Sequence, residues 1–203
     1  MVSTTAHSTA PELYLASASP RRRELLGQLG VLYRVLSIDI DEAVDGAEAA
    51  ADYVVRIARA KALAGWEQSE HALALPVLGA DTAVVIGDEI LGKPEGQQEA
   101  LRMLKKLSGS IHQVYSAVAV RRGQLEEYCL VKTRVGFRAL STRECEVYWL
   151  TGEPRDKAGG YGIQGFGAAF VAHLEGSYSG VVGLPLLETA GLLESFGVTI
   201  WNH

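Results

Sequence analysis

Cysteine is scarce in this chain. Cys129 and Cys145 are the only two among 203 residues, too far apart for a CxxC pair and too few for a disulfide framework. A reducing, cytoplasmic setting is therefore expected, with both thiols acting as small hydrophobes. A surplus of positive charge is missing too. With 19 Lys and Arg against 24 Asp and Glu, the formal charge is −5, so there is no basic face of the kind that counterion release from a nucleic-acid polymer requires. Any nucleotide partner is expected to be small. No apolar run approaches the ~20 residues of a membrane span. The opening MVSTTAHSTAP has neither the basic nor the apolar region of a secretory leader, so no membrane partner is expected. His7, His71, His112, His173 and His203 show no metal-ligand spacing, and no nucleophile elbow is visible, which argues against covalent catalysis by a protein side chain. Linkers and repeats are absent as well. The 48% hydrophobic and 21% charged residues fit one globular domain over residues 12–203, with 1–11 a loose N-terminal extension.

What is present alternates between short β-like runs and amphipathic helical stretches. A strand over 13–17 leads to Ser19-Pro20, an N-cap followed by proline at the first helical position, with Leu25, Leu26 and Leu29 as the apolar stripe and Gly30 as the stop. A second strand over 33–38 runs into the acidic DIDE segment, 39–42, and an alanine-rich helix over 47–64 buries Val54, Ile57 and Ala58. Val77–Ile86, a Gly87-Asp88 turn and Glu89–Leu91 read as a hairpin. Gln97–Leu107 has helical spacing and dipole-compatible charges. Strands over 114–121 and 128–138, a helix opened by the capping box Ser141-x-x-Glu144, a glycine-rich loop, a strand over 168–174, a Gly/Ser loop and a last helix from Pro185 complete the pattern. The fold class is α/β, with a mixed, partly antiparallel sheet.

Four places carry more than structure requires. Arg21, Arg22 and Arg23 crowd the first turn of a helix whose N-terminus is already positive, an arrangement that a phosphate held with Ser17 and Ser19 would relieve; the plainer reading is a solvated basic patch. Lys61 falls on the apolar stripe of its helix, so it either snorkels or meets an anion. Asp81 interrupts an apolar run and needs a cation, a metal or donors unless it is a turn residue. Glu42 is a possible second oxygen ligand, and two carboxylates with water suit Mg²⁺ or Mn²⁺ better than zinc. Lys93, between Gly92 and Pro94, is a plausible phosphate contact. In DKAGGYGIQGFG, Gly160-x-Gly162-x-x-Gly165 matches the dinucleotide fingerprint but lacks its strand-turn-helix setting, and the Walker pattern also fails. Those glycines suggest a tight loop around a ligand. Its polar group Gln164 could pair with a base edge or bond the loop to itself.

Taken together, LYLASASPRRRELL, YVVRIARAKA, VLGADTAVVIGDEILGKP, LSGSIHQVYSAVAV, DKAGGYGIQG and GSYSGVVGLPL resemble the Maf-like nucleotide pyrophosphatases over nearly the whole chain. The resemblance implies a Maf/ITPase-like sheet flanked by helices, two lobes around a deep cleft, a homodimer and a divalent cation. It further implies hydrolysis of a nucleoside triphosphate to its monophosphate and pyrophosphate. By motif position it makes Asp81 the general base, gives Arg21, Thr82 and Gln164 to substrate selection, and makes Ser17, Arg22, Lys61, Lys93 and Glu42 phosphate or metal contacts. GGYGIQG resembles the branch acting on dTTP and UTP, since a neutral amide complements the O4 acceptor and N3–H donor of uracil or thymine. The alternatives are a 7-methyl-GTP pyrophosphatase and a protein that binds a nucleotide or the division machinery without turnover.

Overall fold

The computed structural model describes residues 10–46 and 48–201. The expected loose extension lies outside these residues except for its last two positions, as does residue 47, the expected start of the alanine-rich helix. Thirteen elements follow: β1 Leu13–Leu15, α1 Pro20–Gln28, β2 Tyr33–Val35, α2 Ala50–Gln68, β3 Val77–Ile86, β4 Glu89–Leu91, α3 Gln97–Leu107, β5 Ile111–Arg122, β6 Leu125–Phe137, α4 Thr142–Leu150, β7 Val171–Glu175, α5 Tyr178–Val182 and α6 Leu186–Ser195. Six strands form one sheet in the order β2-β1-β3-β5-β6-β7, and β4 joins at β3. Parallel pairing is confined to β1 with β2 and β3. The remaining pairs are antiparallel.

β3 is buried along nearly its whole length because both of its faces are covered. On one face α2 lays Val54, Ala58 and Ala62 against Ala83, Ala117 and Ala119. The approach is close enough that a Cβ on Gly79 would stand 2.3 Å from the Ala58 carbonyl oxygen and 2.5 Å from the Ala62 nitrogen. On the opposite face there are two apolar cores. Leu78 and Ala80 belong to one, with α1 and α6, whereas Val84 belongs to the other, with α3 and α4. Thr82 sits between them, so the expected two lobes are two cores sharing one strand.

The edge of β3 opposite β5 is interrupted. β1 pairs there only with Val77 and Leu78, and β4 only from Val84 to Ile86. The intervening stretch, centred on Asp81, has no strand beside it on that edge. A cleft of about 820 Å³ enters at this gap, a volume ordinary for a small-molecule site.

Some expected elements differ. β2 ends at Val35 because its partner β1 ends at Leu15 and turns toward α1; one further bond, Leu36 N–H to the Leu15 carbonyl, closes the pair. The strand expected from 168 starts at Val171, after a 3₁₀ segment, Phe166–Phe170. The Gly/Ser loop contains the short helix α5, capped by the Ser177 hydroxyl accepting the Gly180 N–H. The capping box of α4 is fully formed.

Candidate active site

The N-terminus of α1 faces the cleft. Ser19 is its N-cap residue and makes no side-chain capping bond, while the Ser17 hydroxyl accepts the Ser19 N–H at 3.3 Å and an Arg22 N–H at 3.2 Å. Arg22 is a strut. It also donates to the Gly183 carbonyl at 2.9 Å and reaches the Thr82 hydroxyl at 3.5 Å. Thr82 in turn contacts Ser116 at 3.2 Å, and Ser116 donates to the Gly180 carbonyl. Burial pulls the Arg22 pKa down from its usual value, with the nearby Asp81 and Glu42 carboxylates opposing that pull. Arg21 points across the cleft mouth to Asp156, 3.0 Å away, and Arg23 turns back to the Ala18 carbonyl. Thus the three arginines expected at one basic patch have three different partners.

Asp81 lies in mid-strand, not in a turn. Its Oδ1 accepts from the Lys61 ammonium at 2.9 Å, and the same ammonium lies 2.9 Å from Glu42 Oε1. Lys61 is therefore not a snorkelling side chain. Its place on α2, opposite the Gly79 contact, brings its amine over β3. Burial raises the Asp81 pKa, Lys61 and Arg22 partly offset that rise, and Glu42 adds to it. Tyr53, two helical turns before Lys61 on the same face of α2, donates to the Glu42 carbonyl at 3.0 Å and so ties the acidic loop to the helix. Burial lifts its phenol to about 12, with Asp81 and Glu42 contributing.

Glu42 and Asp81 form a two-carboxylate oxygen set at the cleft. Among the described residues no group of three or more His, Cys, Asp or Glu side chains could hold a metal. The pair fits a hard divalent ion that draws its other ligands from water and phosphate oxygens, the usual manner of Mg²⁺. A closed zinc site would need four protein ligands.

The glycine-rich loop holds an internal anion. Glu153, at the start of a 3₁₀ turn, receives the Phe166 N–H on Oε2 at 2.7 Å, and on Oε1 the Gly167 N–H at 3.1 Å and the Tyr148 hydroxyl at 2.7 Å. A Cβ on Gly165 would lie 2.1 Å from Glu153 Oε2, so that glycine makes room for this carboxylate. Gln164 lies exposed at the cleft, and its amide makes no hydrogen bond among the described residues. Lys93 is likewise exposed at the cleft and unpaired among those residues.

Of the eleven side chains singled out in the sequence, all but Arg23 line this one cleft. Tyr53, Ser116, Glu153, Asp156 and Tyr161 were not foreseen. Tyr53 had a local signal, its spacing of eight from Lys61, and Asp156 and Tyr161 belong to the glycine-rich segment itself, with Glu153 three residues before it; Ser116 alone of the five is brought in from a separate strand.

Against this geometry, a family model described as a Maf-like protein matches residues 12–196. A protein of Pseudoalteromonas atlantica named dTTP/UTP pyrophosphatase is 56% identical over 185 residues, covering 89% of this chain and 95% of that relative. One of the same name from Saccharophagus degradans is 51% identical over 193 residues, covering 95% and 92%. Another, from Methylobacillus flagellatus, is 53% identical over 188 residues, covering 93% and 94%. Matches of this identity and extent, spanning every element that lines the cleft, establish that the chain belongs to the Maf-like protein family.

Proposed function

We propose that the chain is a nucleoside triphosphate pyrophosphatase that converts dTTP and UTP to the monophosphate and pyrophosphate. The observation that carries this reading is the identity of 51 to 56% with relatives named dTTP/UTP pyrophosphatase over almost their whole length. The cleft chemistry supports it. Arg21, Arg22, Lys61 and Lys93 gather cationic groups where a triphosphate would lie, which favours departure of a β,γ-pyrophosphate. Asp81 accepts a proton from the attacking water as its oxygen bonds to the α-phosphorus and the bond to the bridging oxygen breaks. Lys61 keeps that carboxylate oriented. Ser17, Ser19 and the N-terminal amides of α1 bind phosphate oxygens, and Thr82 and Gln164 meet the nucleoside.

Glu42 and Asp81 would hold Mg²⁺ or Mn²⁺. Such an ion supplies charge neutralisation along the phosphate chain. We also expect a homodimer, to be checked by sedimentation velocity, and cytoplasmic action, in keeping with two free cysteines. No helix among the described residues is long and apolar enough to cross a membrane. The test is product analysis with dTTP, UTP, CTP and 7-methyl-GTP in the presence of Mg²⁺ or Mn²⁺. Monophosphate and pyrophosphate as first products from dTTP and UTP, abolished by EDTA, are expected; diphosphate with orthophosphate, or no turnover of either, would overturn the reading.

A further inference from the structure

An amide is ambidextrous: rotated by half a turn, Gln164 could meet the N4 donor and N3 acceptor of cytosine as readily as the O4 acceptor and N3–H donor of uracil. Discrimination therefore requires that something hold the amide in one orientation. Gln164 makes no side-chain hydrogen bond among the described residues, so its amide is free to turn, and what the fold fixes is the place of the backbone that carries it. That backbone is anchored on both sides. Phe166 and Gly167 donate their N–H groups to the Glu153 carboxylate at 2.7 and 3.1 Å. Gly162 donates to the Tyr148 hydroxyl at 3.0 Å, which itself donates to Glu153 at 2.7 Å. Gln164 is midway between the two anchors.

We propose that Glu153 is the positioning residue for base recognition: by clamping residues 162–167 it fixes where Gln164 meets the base, and hence the share of affinity that a pyrimidine base adds to that of the phosphates. The proposal rests on the reading of the cleft as a pyrimidine nucleotide site. Hydrogen bonds to a full carboxylate are the stronger kind, and here one carboxylate anchors a loop with too few side chains to hold itself. The close contact at Gly165 adds a second sign, since a loop shaped only by a ligand would not need a glycine against Glu153.

Calorimetric binding of non-hydrolysable α,β-methylene analogues of dTTP and dCTP, with inorganic tripolyphosphate as a base-free probe, tests it without depending on turnover. In Glu153→Gln an NH₂ group replaces one accepting oxygen and faces a loop N–H. Affinity for both nucleoside analogues should fall about tenfold, while tripolyphosphate affinity stays within about twofold, as for a separate site. Tyr148→Phe, which removes the Gly162 anchor and the hydroxyl's bond to Glu153 but keeps the Phe166 and Gly167 anchors, should shift the nucleoside affinities in the same direction by less and serves if the first variant does not fold. Unchanged affinity for the nucleoside analogues in both folded variants, or an equal loss for tripolyphosphate, would overturn the proposal. Failure of the wild type to hydrolyse dTTP, with the nucleoside affinities responding as expected, would instead overturn only the pyrophosphatase reading.

Discussion

Asp81 combines two features that pull against each other. Burial raises its pKa, and the contacts with Lys61 and Arg22 resist that rise without cancelling it. A base must be ionised to accept a proton, so the acid limb of kcat/KM, read at low divalent-ion concentration where the ion's own charge does not offset the rise, should lie above the ordinary carboxylate range. Activity should decline on that limb as pH falls through the raised value. Lys61→Met removes the larger of the two opposing charges and should move the limb further up, which a pH-rate profile would reveal; a limb that does not move would mean that another group titrates there. Asp81→Asn keeps the shape but cannot accept the proton, and a loss of at least ~10² in kcat is expected. Near-normal turnover in a folded variant would remove Asp81 from the mechanism. At Gln164, substitution by Glu sets a carboxylate against the O4 of the base. Discrimination for dTTP and UTP should weaken by ~1 to 3 kcal/mol, with 7-methyl-GTP less affected because its base is cationic. Specificity constants for the three substrates check this; an equal proportional change in all would mean that the residue shapes the loop only.

At the level of elements, the decisive contact is α2 on β3. Gly79 lets the helix backbone touch the strand two residues before Asp81, and this nearness places Lys61 over the carboxylate. Because the atoms a Cβ would strike belong to the backbone, no side chain can move aside. Gly79→Ala should cost ~1 to 3 kcal/mol, a fall in Tm of roughly 2 to 12 °C, accompanied by loss of activity as the helix shifts. Gly191→Ala is the contrasting case. That glycine sits within α6 with open space around its Cβ position, so the variant should gain up to ~1 kcal/mol from helix propensity. Calorimetric melting of the two variants tests whether the contact or the residue type matters.

This contact also shows what could be read from the sequence. Lys61 on an apolar stripe and Asp81 in an apolar run were legible because each violates the pattern of its own element. That they meet was not legible, since neither periodicity nor spacing specifies how closely a helix approaches a strand. β3, α3 and the capping box of α4 were legible for the same local reason, and β2 was overextended because its length depends on where β1 turns away. The glycine loop was legible as a tight loop, but Glu153, the anion it encloses, stands just before that loop and carries no local signal of its own.

At the scale of the whole molecule, the second core contains a titratable group with no evident part in catalysis. His112 on β5 is buried against Phe137 and Tyr161, and its Nε2 shares a hydrogen bond of 2.8 Å with the Tyr161 hydroxyl. Burial lowers its pKa from 6.5 to about 4. The folded protein therefore resists a proton that the unfolded chain accepts between those two values. The stabilising contribution is complete above pH 6.5 and is lost progressively as pH falls toward 4, reaching about 3 kcal/mol. Asp81 acts with the opposite sign, since a carboxyl whose pKa is raised by burial takes up its proton more readily when folded. Urea unfolding at pH 7.5 and pH 5 should show a net loss of stability at the lower pH, and His112→Gln should shrink that loss by the histidine's share. Because Tyr161 lines the cleft while its hydroxyl is bonded to His112, protonation would disturb the wall of the site together with the core. Nucleotide affinity should then fall over the same pH interval in the wild type and much less in the variant; parallel pH dependence in both proteins would separate the histidine from the site.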